Sequence, residues 1–376
     1  MEILSCENVA FKYNESTDYA ISDCTFSVKK GEKIMLCGAS GSGKSTLLRL
    51  LKRELSPRGE LSGNITLMGK DRSELSDRES AEKIGFVMQS PDSQTVCDKV
   101  SAELAFGLES FGVKSGEIQS RVGEMAAFFG IEPLYDRDIS TLSGGQKQLV
   151  ALCSVMATDP DILLLDEPTA QLDPIAAREL LGILDRLNKE MGVTIIIAEH
   201  DPEELFDSCD KILYLAKGKT EFFGTPALTA KYFVKNALEG FLPETAKAFA
   251  RLCDDLPLNV RQGRAKLEKL GVTDIPKQAV TDTERAEPYA LQCKNLWQRY
   301  EKNSPDILKG CDLGIRKGEC YGILGSNGGG KSTLLRVICG LCKPYMGAVS
   351  LFGKKQKAYK NGSLFREMLA FLPQEP

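Results

Sequence analysis

The sequence predicts an α/β protein with a doubly wound, largely parallel sheet, followed by the start of a second copy of the same fold. Two apolar runs, DILLLDE at 161–167 and VTIIIAEH at 193–200, favour buried strands. Continuous apolar segments with polar ends are typical of parallel strands that are covered on both faces. The helical pattern AARELLGILDRLNKEMG lies between them, so the order is strand, helix, strand.

An internal repeat indicates the second copy. The segment IMLCGASGSGKSTLLRLL at 34–51 returns as YGILGSNGGGKSTLLRVI at 321–338, and the residues before each copy also match. We therefore expect a first domain at 1–235, a helical extension with a polar linker at 236–288, and the amino-terminal part of a second domain at 289–376. FVMQSP at 86–91 matches FLPQEP at 371–376, so the second copy is expected to be truncated.

Charge and hydropathy exclude several classes of protein. The formal net charge is −4, so no overall positive field attracts nucleic acid, and we expect no nucleic-acid partner. The amino terminus lacks the basic and apolar regions of a secretory signal, and no window reaches the roughly 20 apolar residues that cross a bilayer. We expect a cytosolic chain without membrane spans of its own.

The strongest chemical signal is the glycine-rich segment between the first apolar strand and the first helix, which we expect at about 44–54. Gly38, Gly43, Lys44 and Ser45 have the spacing of a phosphate-binding P-loop. Such a loop surrounds phosphates with backbone N–H groups and a helix N-terminus, while its lysine bridges the outer phosphates and its hydroxyl ligates Mg²⁺. We therefore predict a nucleoside triphosphate with Mg²⁺.

An acidic pair follows the strand at 161–167. Asp166 lies at its predicted carboxyl end, where open α/β sheets bind ligands, and Glu167 comes next. On its own such a pair is more often a helix cap or a surface turn. Downstream of a P-loop, we expect Asp166 to hold Mg²⁺ and Glu167 to polarise the attacking water.

Three further features complete a recognisable order: Gln89, LSGGQKQ at 142–148, and His200 at the end of the next strand. Together with the P-loop and the acidic pair, they resemble the motifs of ATP-binding cassette (ABC) ATPases. The resemblance covers residues 1 to about 225 and the start of a second cassette from about 289. Leu149 departs from the family pattern, in which an arginine commonly follows the signature. The implied fold is a P-loop ABC cassette, with a mixed sheet, an antiparallel β subdomain and a helical signature subdomain.

The resemblance also implies the cofactors, ATP and Mg²⁺, and the site residues. Glu167 would be the general base, His200 would contact the γ-phosphate and Gln89 would couple the site to a partner. The implied ATP-binding residues of the first cassette are Tyr13, Gly38, Ala39, Ser40, Gly41, Ser42, Gly43, Lys44, Ser45, Thr46, Ser143, Gly144, Gly145 and Gln146. Those of the second cassette are Tyr300, Gly325, Ser326, Asn327, Gly328, Gly329, Gly330, Lys331, Ser332 and Thr333. The implied Mg²⁺ ligands are Ser45, Gln89, Asp166, Ser332 and Gln374.

Some of these assignments have ordinary structural alternatives. A single tyrosine such as Tyr13 or Tyr300 could equally be a strand-edge residue rather than an adenine-stacking one. A lone strand-end histidine is usually structural. In the family, each ATP lies between one P-loop and the signature of the opposite cassette, so the resemblance also implies a second cassette as a partner.

The stretch MQSPDSQTVCDKVSAELAFGLESFGV at 88–113 is similar to the corresponding region in ATPases of energy-coupling factor (ECF) transporters, which import vitamins and transition-metal ions. This implies a transmembrane coupling subunit and a substrate-binding membrane subunit as partners, at the cytoplasmic face of a bacterial or archaeal membrane. Asp92, Asp98 and Glu103 are expected to offer carboxylates to basic residues of the coupling subunit. The alternatives are a soluble tandem ABC ATPase acting on ribosomes or DNA, an ATPase of another ABC transporter class, and a nonhydrolysing nucleotide-regulated binding module.

Overall fold

A computed structural model describes residues 1–271, 288–302, 304–359 and 363–373. The chain divides into two compact units, Met1–Ile275 and Pro276–Pro376. Most of the predicted linker and the predicted Mg²⁺ ligand Gln374 lie outside the described residues.

The amino-terminal unit alternates strands and helices in the predicted order. Its strands are β1 Glu2–Tyr13, β2 Ile21–Lys29, β3 Lys33–Cys37, β4 Gly59–Leu67, β5 Lys70–Asp71, β6 Ile84–Val87, β7 Ile162–Asp166, β8 Thr194–Ala198, β9 Lys211–Ala216 and β10 Lys219–Gly224. Its helices are α1 Lys44–Leu51, α2 Asp77–Lys83, α3 Val100–Ser110, α4 Ser115–Phe129, α5 Gly144–Met156, α6 Pro174–Met191, α7 Pro226–Lys235, α8 Glu244–Phe249 and α9 Val260–Lys269.

A six-stranded sheet forms the centre of this unit, with the order β10-β9-β3-β8-β7-β6. The pairs from β6 to β9 are parallel, and only β10 is antiparallel. The two apolar runs became the neighbouring strands β7 and β8, whose residues are all buried. The predicted α/β fold with a parallel core is confirmed.

Both faces of the sheet are covered, as continuous apolar strands require. Ile34 and Leu36 of β3 pack into one core with α1 and with the antiparallel sheet of order β2-β1-β4-β5. Met35 and Cys37 point the other way, into the core that holds α3, α4, α5 and α6. Leu242 and other apolar residues of the predicted extension are buried in this second core.

Helix α1 is shorter than predicted. It ends at Leu51, because Lys52 adopts an extended backbone with φ −110° and ψ 115°, and a 3₁₀ turn follows at Arg53–Leu55. The Lys52 ammonium reaches across to the carbonyl oxygen of Ile84, at the start of β6. This contact favours the turn away from the helix axis over another helical turn.

The second unit repeats the first part of this architecture. Its strands are β11 Tyr289–Gln298, β12 Leu308–Arg316, β13 Met346–Leu351 and β14 Lys354–Lys355, and its helices are α10 Lys331–Ile338 and α11 Ser363–Glu367. The sheet order β12-β11-β13-β14 repeats that of β2-β1-β4-β5.

One element of the repeat differs. Residues 321–324 match the buried strand β3 in sequence, yet they are not a strand, and Leu324 is 95% exposed. In the first unit, β3 is held between β8 and β9. No described strand of the second unit flanks 321–324 in this way, so the backbone groups there lack the ladder that defines a strand.

Candidate active site

A cleft of about 460 Å³ lies at the carboxyl edge of the large sheet in the first unit. Because β3, β7 and β8 are parallel neighbours, their carboxyl ends bring the P-loop, the acidic pair and the histidine to one place. The residues that line the cleft are Tyr13, Ala20, Ser40, Gly41, Gly43, Lys44, Ser45, Thr46, Gln89, Glu167 and His200.

The P-loop joins β3 to α1 and packs closely against the sheet. A Cβ atom at Gly38 would overlap the carbonyl oxygen of Leu215 in β9, so only glycine allows this approach. Gly43 is the N-cap of α1 with φ 104°, and it leaves the N-terminus of this helix open to the cleft. The backbone therefore has the form that phosphate binding requires.

The Lys44 side chain spans the loop. Its ammonium donates hydrogen bonds to the carbonyl oxygens of Gly38 at 2.8 Å and of Ala39 at 3.2 Å. Burial lowers the pKa of Lys44, whereas the carboxylates of Glu167 and Asp166 act in the opposite direction. The Lys44 ammonium is thus held at the centre of the loop, next to the side chains of Glu167 and Asp166.

Ser45 and Asp166 face each other, and the Ser45 hydroxyl donates to Asp166 Oδ1 at 2.8 Å. Asp166 is 4% exposed, and this burial raises its pKa against the opposing effect of the Ser45 hydrogen bond. A hydroxyl, a carboxylate and the amide oxygen of Gln89 are hard oxygen ligands, and Mg²⁺ is usually held by one or two carboxylates together with substrate phosphates and water. The side chains therefore fit a Mg²⁺ ion that is bound together with a nucleotide.

Glu167 is contacted by two of the predicted catalytic residues. Its Oε2 accepts a hydrogen bond from Gln89 Nε2 at 2.9 Å, and its Oε1 lies 2.7 Å from His200 Nε2. The backbone of Glu167 has φ 49°, and its N–H donates to the Ala198 carbonyl oxygen at 2.9 Å. Both oxygens of the carboxylate are thus engaged by side chains that come from other segments of the chain.

Comparison with known proteins shows the family of this chain. The profile of the ABC transporter family matches residues 21–170 and 308–376. The chain belongs to the ABC transporter family. A provisionally named ABC transporter ATP-binding protein of Bacillus thuringiensis subsp. konkukian is 40% identical over 349 residues, which are 92% of this chain and 63% of that protein. The chain therefore spans about 63% of the length of this relative.

Solved ABC structures superpose on the chain. The cbiO1 protein of Clostridium perfringens, described as part of the ABC transporter complex cbiONQ, is 31% identical with a TM-score of 0.57, covering 70% of this chain and 98% of that one. The cassette MJ0796, solved as a dimer in a post-hydrolysis state with ADP and Pi, is 27% identical with a TM-score of 0.52, covering 60% of this chain and 99% of that one. The predicted ABC recognition, cassette fold and ATPase class are confirmed at the level of the family.

The ABC signature begins helix α5. The Ser143 hydroxyl caps this helix by accepting from the Gln146 N–H at 3.3 Å, and Gln146 Oε1 accepts from the Ser143 N–H at 3.0 Å. Gly144 and Gly145 form the first helical turn between them. Within the described part of the unit, none of these four residues lines the nucleotide cleft. Their predicted contact with ATP would therefore be made to a different cassette.

The two predicted adenine-stacking tyrosines have matching contacts. The Tyr13 hydroxyl is 2.9 Å from Thr46 Oγ1, and the Tyr300 hydroxyl is 3.0 Å from Thr333 Oγ1. The second P-loop also repeats the lysine geometry, because Lys331 donates to the carbonyl oxygens of Gly325 at 2.7 Å and Ser326 at 2.8 Å. Ser332, the predicted Mg²⁺ ligand of this copy, is exposed.

The structure corrects the expected carboxylates for a membrane partner. Glu103 is 5% exposed, and its Oε2 accepts from the N–H groups of Val96 and Cys97 at 3.0 and 2.8 Å. Asp92 forms an ion pair with Lys147 at 2.6 Å. Glu103 therefore stabilises its own loop, whereas Asp92 and Asp98 remain exposed carboxylates, of which Asp92 already pairs with Lys147.

Sequence analysis did not single out Glu199 and Thr169. Glu199 follows β8 and is 4% exposed, and its carboxylate accepts hydrogen bonds from Thr169. The available signal was a carboxylate at the end of a strand that is otherwise apolar. None of the helices in the described ranges is long and apolar enough to cross a membrane.

Proposed function

We propose that the chain is the ATP-binding and ATP-hydrolysing subunit of an ECF-type importer, acting at the cytoplasmic face of the membrane. The observation that carries the hydrolytic part is the Glu167 carboxylate, held by Gln89 and His200 beside the P-loop lysine. A carboxylate at this place can act as a general base toward a water near the terminal phosphate. A nonhydrolysing module would have no need of such an arrangement.

The proposed roles follow from the positions of the side chains. Lys44 and the N-terminus of α1 would bind the phosphates, and Ser45 and Asp166 would hold Mg²⁺ with Gln89. When bound, Mg²⁺ would neutralise charge on the phosphate oxygens. Glu167 would accept the proton of the attacking water while the bond between the β- and γ-phosphates breaks, and His200 would keep the carboxylate oriented toward that water.

An apolar groove supports a membrane partner. This groove of about 290 Å³ lies beside the segment that carries Gln89, and its lining includes Phe86, Met88, Val96, Phe106 and Phe111. Val96 is 65% exposed and Phe106 is 42% exposed. Phe86 and Met88 also line a further cavity, distinct from the 460 Å³ cleft, that contains Gln89 and Asp166. A cytoplasmic helix of a transmembrane coupling subunit, docked here with its apolar face, could therefore influence Gln89.

The similarity to cbiO1, a part of cbiONQ, favours this type of transporter among ABC classes. From the resemblance of residues 88–113 to ECF ATPases, we propose that the cargo is a vitamin or a transition-metal ion captured by a separate membrane subunit. A second cassette would supply the signature that closes on the first P-loop, because the chain's own signature lies outside its nucleotide cleft.

ATP hydrolysis is tested with a Glu167→Gln variant. We expect it to bind ATP with unchanged affinity and to lose at least about a hundredfold in turnover, whereas Glu32→Gln, at the opposite edge of the sheet, should behave like the unmodified chain. Equal turnover in Glu167→Gln and the unmodified chain would refute the role of Glu167.

The membrane partner is tested by co-purification from membranes. Phe106→Glu places a charge in the apolar groove and is expected to abolish capture of a polytopic membrane protein. Leu228→Glu, at an apolar residue of α7 that is 55% exposed, is the matched control and should retain it. If both variants retain the partner, docking does not use the groove.

A further inference from the structure

A buried carboxylate connects the two segments that carry Glu167 and His200. Glu199 Oε1 accepts hydrogen bonds from the Thr169 N–H at 3.0 Å and from the Thr169 hydroxyl at 2.6 Å. Its other oxygen, Oε2, accepts from the His200 N–H at 3.3 Å. Thr169 is two residues after Glu167, and His200 directly follows Glu199.

The position of this carboxylate is costly. Glu199 is 4% exposed and continues a strand whose other residues are all apolar except Thr194. Moving a carboxylate out of water is unfavourable unless hydrogen bonds compensate it. Three donors do so here, and all of them belong to Thr169 and His200.

These bonds supplement a backbone contact between the same segments. The Glu167 N–H donates to the Ala198 carbonyl oxygen at 2.9 Å, which aligns the two strand ends. Strand β7 ends at Asp166 and strand β8 ends at Ala198. After these residues, the hydrogen bonds of the Glu199 side chain connect the two segments. His200 Nε2 approaches Glu167 Oε1 to 2.7 Å between the same two segments.

We propose that Glu199 is a positioning residue for ATP hydrolysis, whose carboxylate sets the separation of His200 and Glu167 by holding Thr169 and the His200 backbone together. The inference rests on the proposed roles of Glu167 and His200. Glu199 lies outside the lining of the nucleotide cleft in the described part of the unit, so it acts through its neighbours.

Different substitutions test separately the hydrogen bonds of Glu199 to Thr169 and to the His200 N–H. In Glu199→Gln, the amide oxygen can still accept from Thr169, but the amide NH₂ group then faces the His200 N–H, so two donors oppose each other. Thr169→Val removes the hydroxyl and keeps the shape of the side chain, whereas Thr169→Ser keeps the hydroxyl. We expect turnover to fall about tenfold in Glu199→Gln and severalfold in Thr169→Val, because small misplacements of catalytic groups cost up to about a hundredfold. Thr169→Ser should retain the turnover of the unmodified chain.

The decisive readout is the NMR signal of His200, the only histidine of the chain. Its ring signals can be followed in the whole 376-residue chain with 13C-labelled histidine, without nucleotide. We expect Glu199→Gln to move these signals toward those of a Glu167→Ala variant, in which the ring has lost its carboxylate. Glu32→Gln removes a carboxylate that accepts from the Lys29 N–H far from the cleft, and it should leave the signals unchanged.

The outcomes separate this inference from the proposed function. If Glu199→Gln lowers stability but leaves the His200 signals and the turnover per folded molecule unchanged, Glu199 is structural and the inference is wrong. If the His200 signals move while the unmodified chain has no ATPase activity, the positioning is supported and the hydrolytic function fails. Unchanged ATP affinity is expected in either case, since Glu199 does not line the cleft.

Discussion

Replacing Gly43 by alanine is expected to destabilise the first unit by about 2–5 kcal/mol. Gly43 has φ 104°, a backbone conformation that costs an L-residue about 1–2 kcal/mol. A Cβ atom there would lie 2.7 Å from both the Ala20 carbonyl oxygen and Ile21 Cδ1. The Ala20 oxygen is backbone and cannot rotate away, so overpacking adds about 1–3 kcal/mol.

The repeat provides a matched control at Gly330, the N-cap of α10. Its φ is 88°, but a Cβ would lie 3.1 Å from Ile307 Cγ2 and 3.3 Å from the Ile307 carbonyl oxygen. These contacts can be relieved by small shifts. Gly330→Ala should therefore cost only the backbone contribution, about 1–2 kcal/mol, in the second unit.

Chemical denaturation can assign the two effects because Trp297, the only tryptophan, lies in β11 of the second unit. Its fluorescence reports that unit, whereas far-ultraviolet circular dichroism reports both units. Gly43→Ala should shift a transition seen by dichroism and leave the fluorescence transition in place, whereas Gly330→Ala should shift the fluorescence transition. The reasoning is refuted if Gly43→Ala costs no more than Gly330→Ala, or if it shifts the tryptophan transition.

Three further changes have defined outcomes. Ser143→Ala removes the N-cap of α5 and should lower the free energy of unfolding by about 1 kcal/mol, measured by denaturation. Asp185→Leu leaves the buried Lys33 ammonium without its carboxylate and should lower the free energy of unfolding by about 2–4 kcal/mol. The Lys33→Met/Asp185→Leu double variant should recover most of this loss, and a double-mutant cycle measures the recovery. Burial raises the pKa of Glu199, so its ionised form costs folding free energy above that pKa, and this cost disappears below the ordinary glutamate value. The stability of the unmodified chain relative to Glu199→Gln should therefore increase as the pH is lowered toward about 4.5, the ordinary glutamate value, and a constant difference would contradict the assignment.

Sequence reasoning placed residues correctly where their positions depend on consecutive residues. The P-loop is one such segment, since the spacing of Gly43, Lys44 and Ser45 places the helix N-terminus, the ammonium and the hydroxyl together without help from distant residues. Asp166 and Glu167 were found for a similar reason, because a fully apolar strand ends at the edge where ligands bind.

It failed where the surroundings decide the role of a residue. Glu103 lies in the region that resembles ECF ATPases, yet the fold buries it against its own loop, where its carboxylate accepts from two backbone N–H groups. Glu199 carries no motif of its own. Its partner Thr169 is 30 positions away, so its hydrogen bonds exist only once β7 and β8 are paired.

The sequence by itself therefore determined the repeat, the parallel core and the place of the glycine-rich loop at the start of α1, because these depend on periodicity and on spacing within short segments. Only the tertiary structure decided that Gln89 and His200 both contact Glu167, that the signature lies outside its own cleft, and that residues 321–324 do not repeat β3. The physical reason is that a strand and a catalytic side chain both need partners from elsewhere in the chain. Such partners are supplied by sheet order, which a local pattern does not contain.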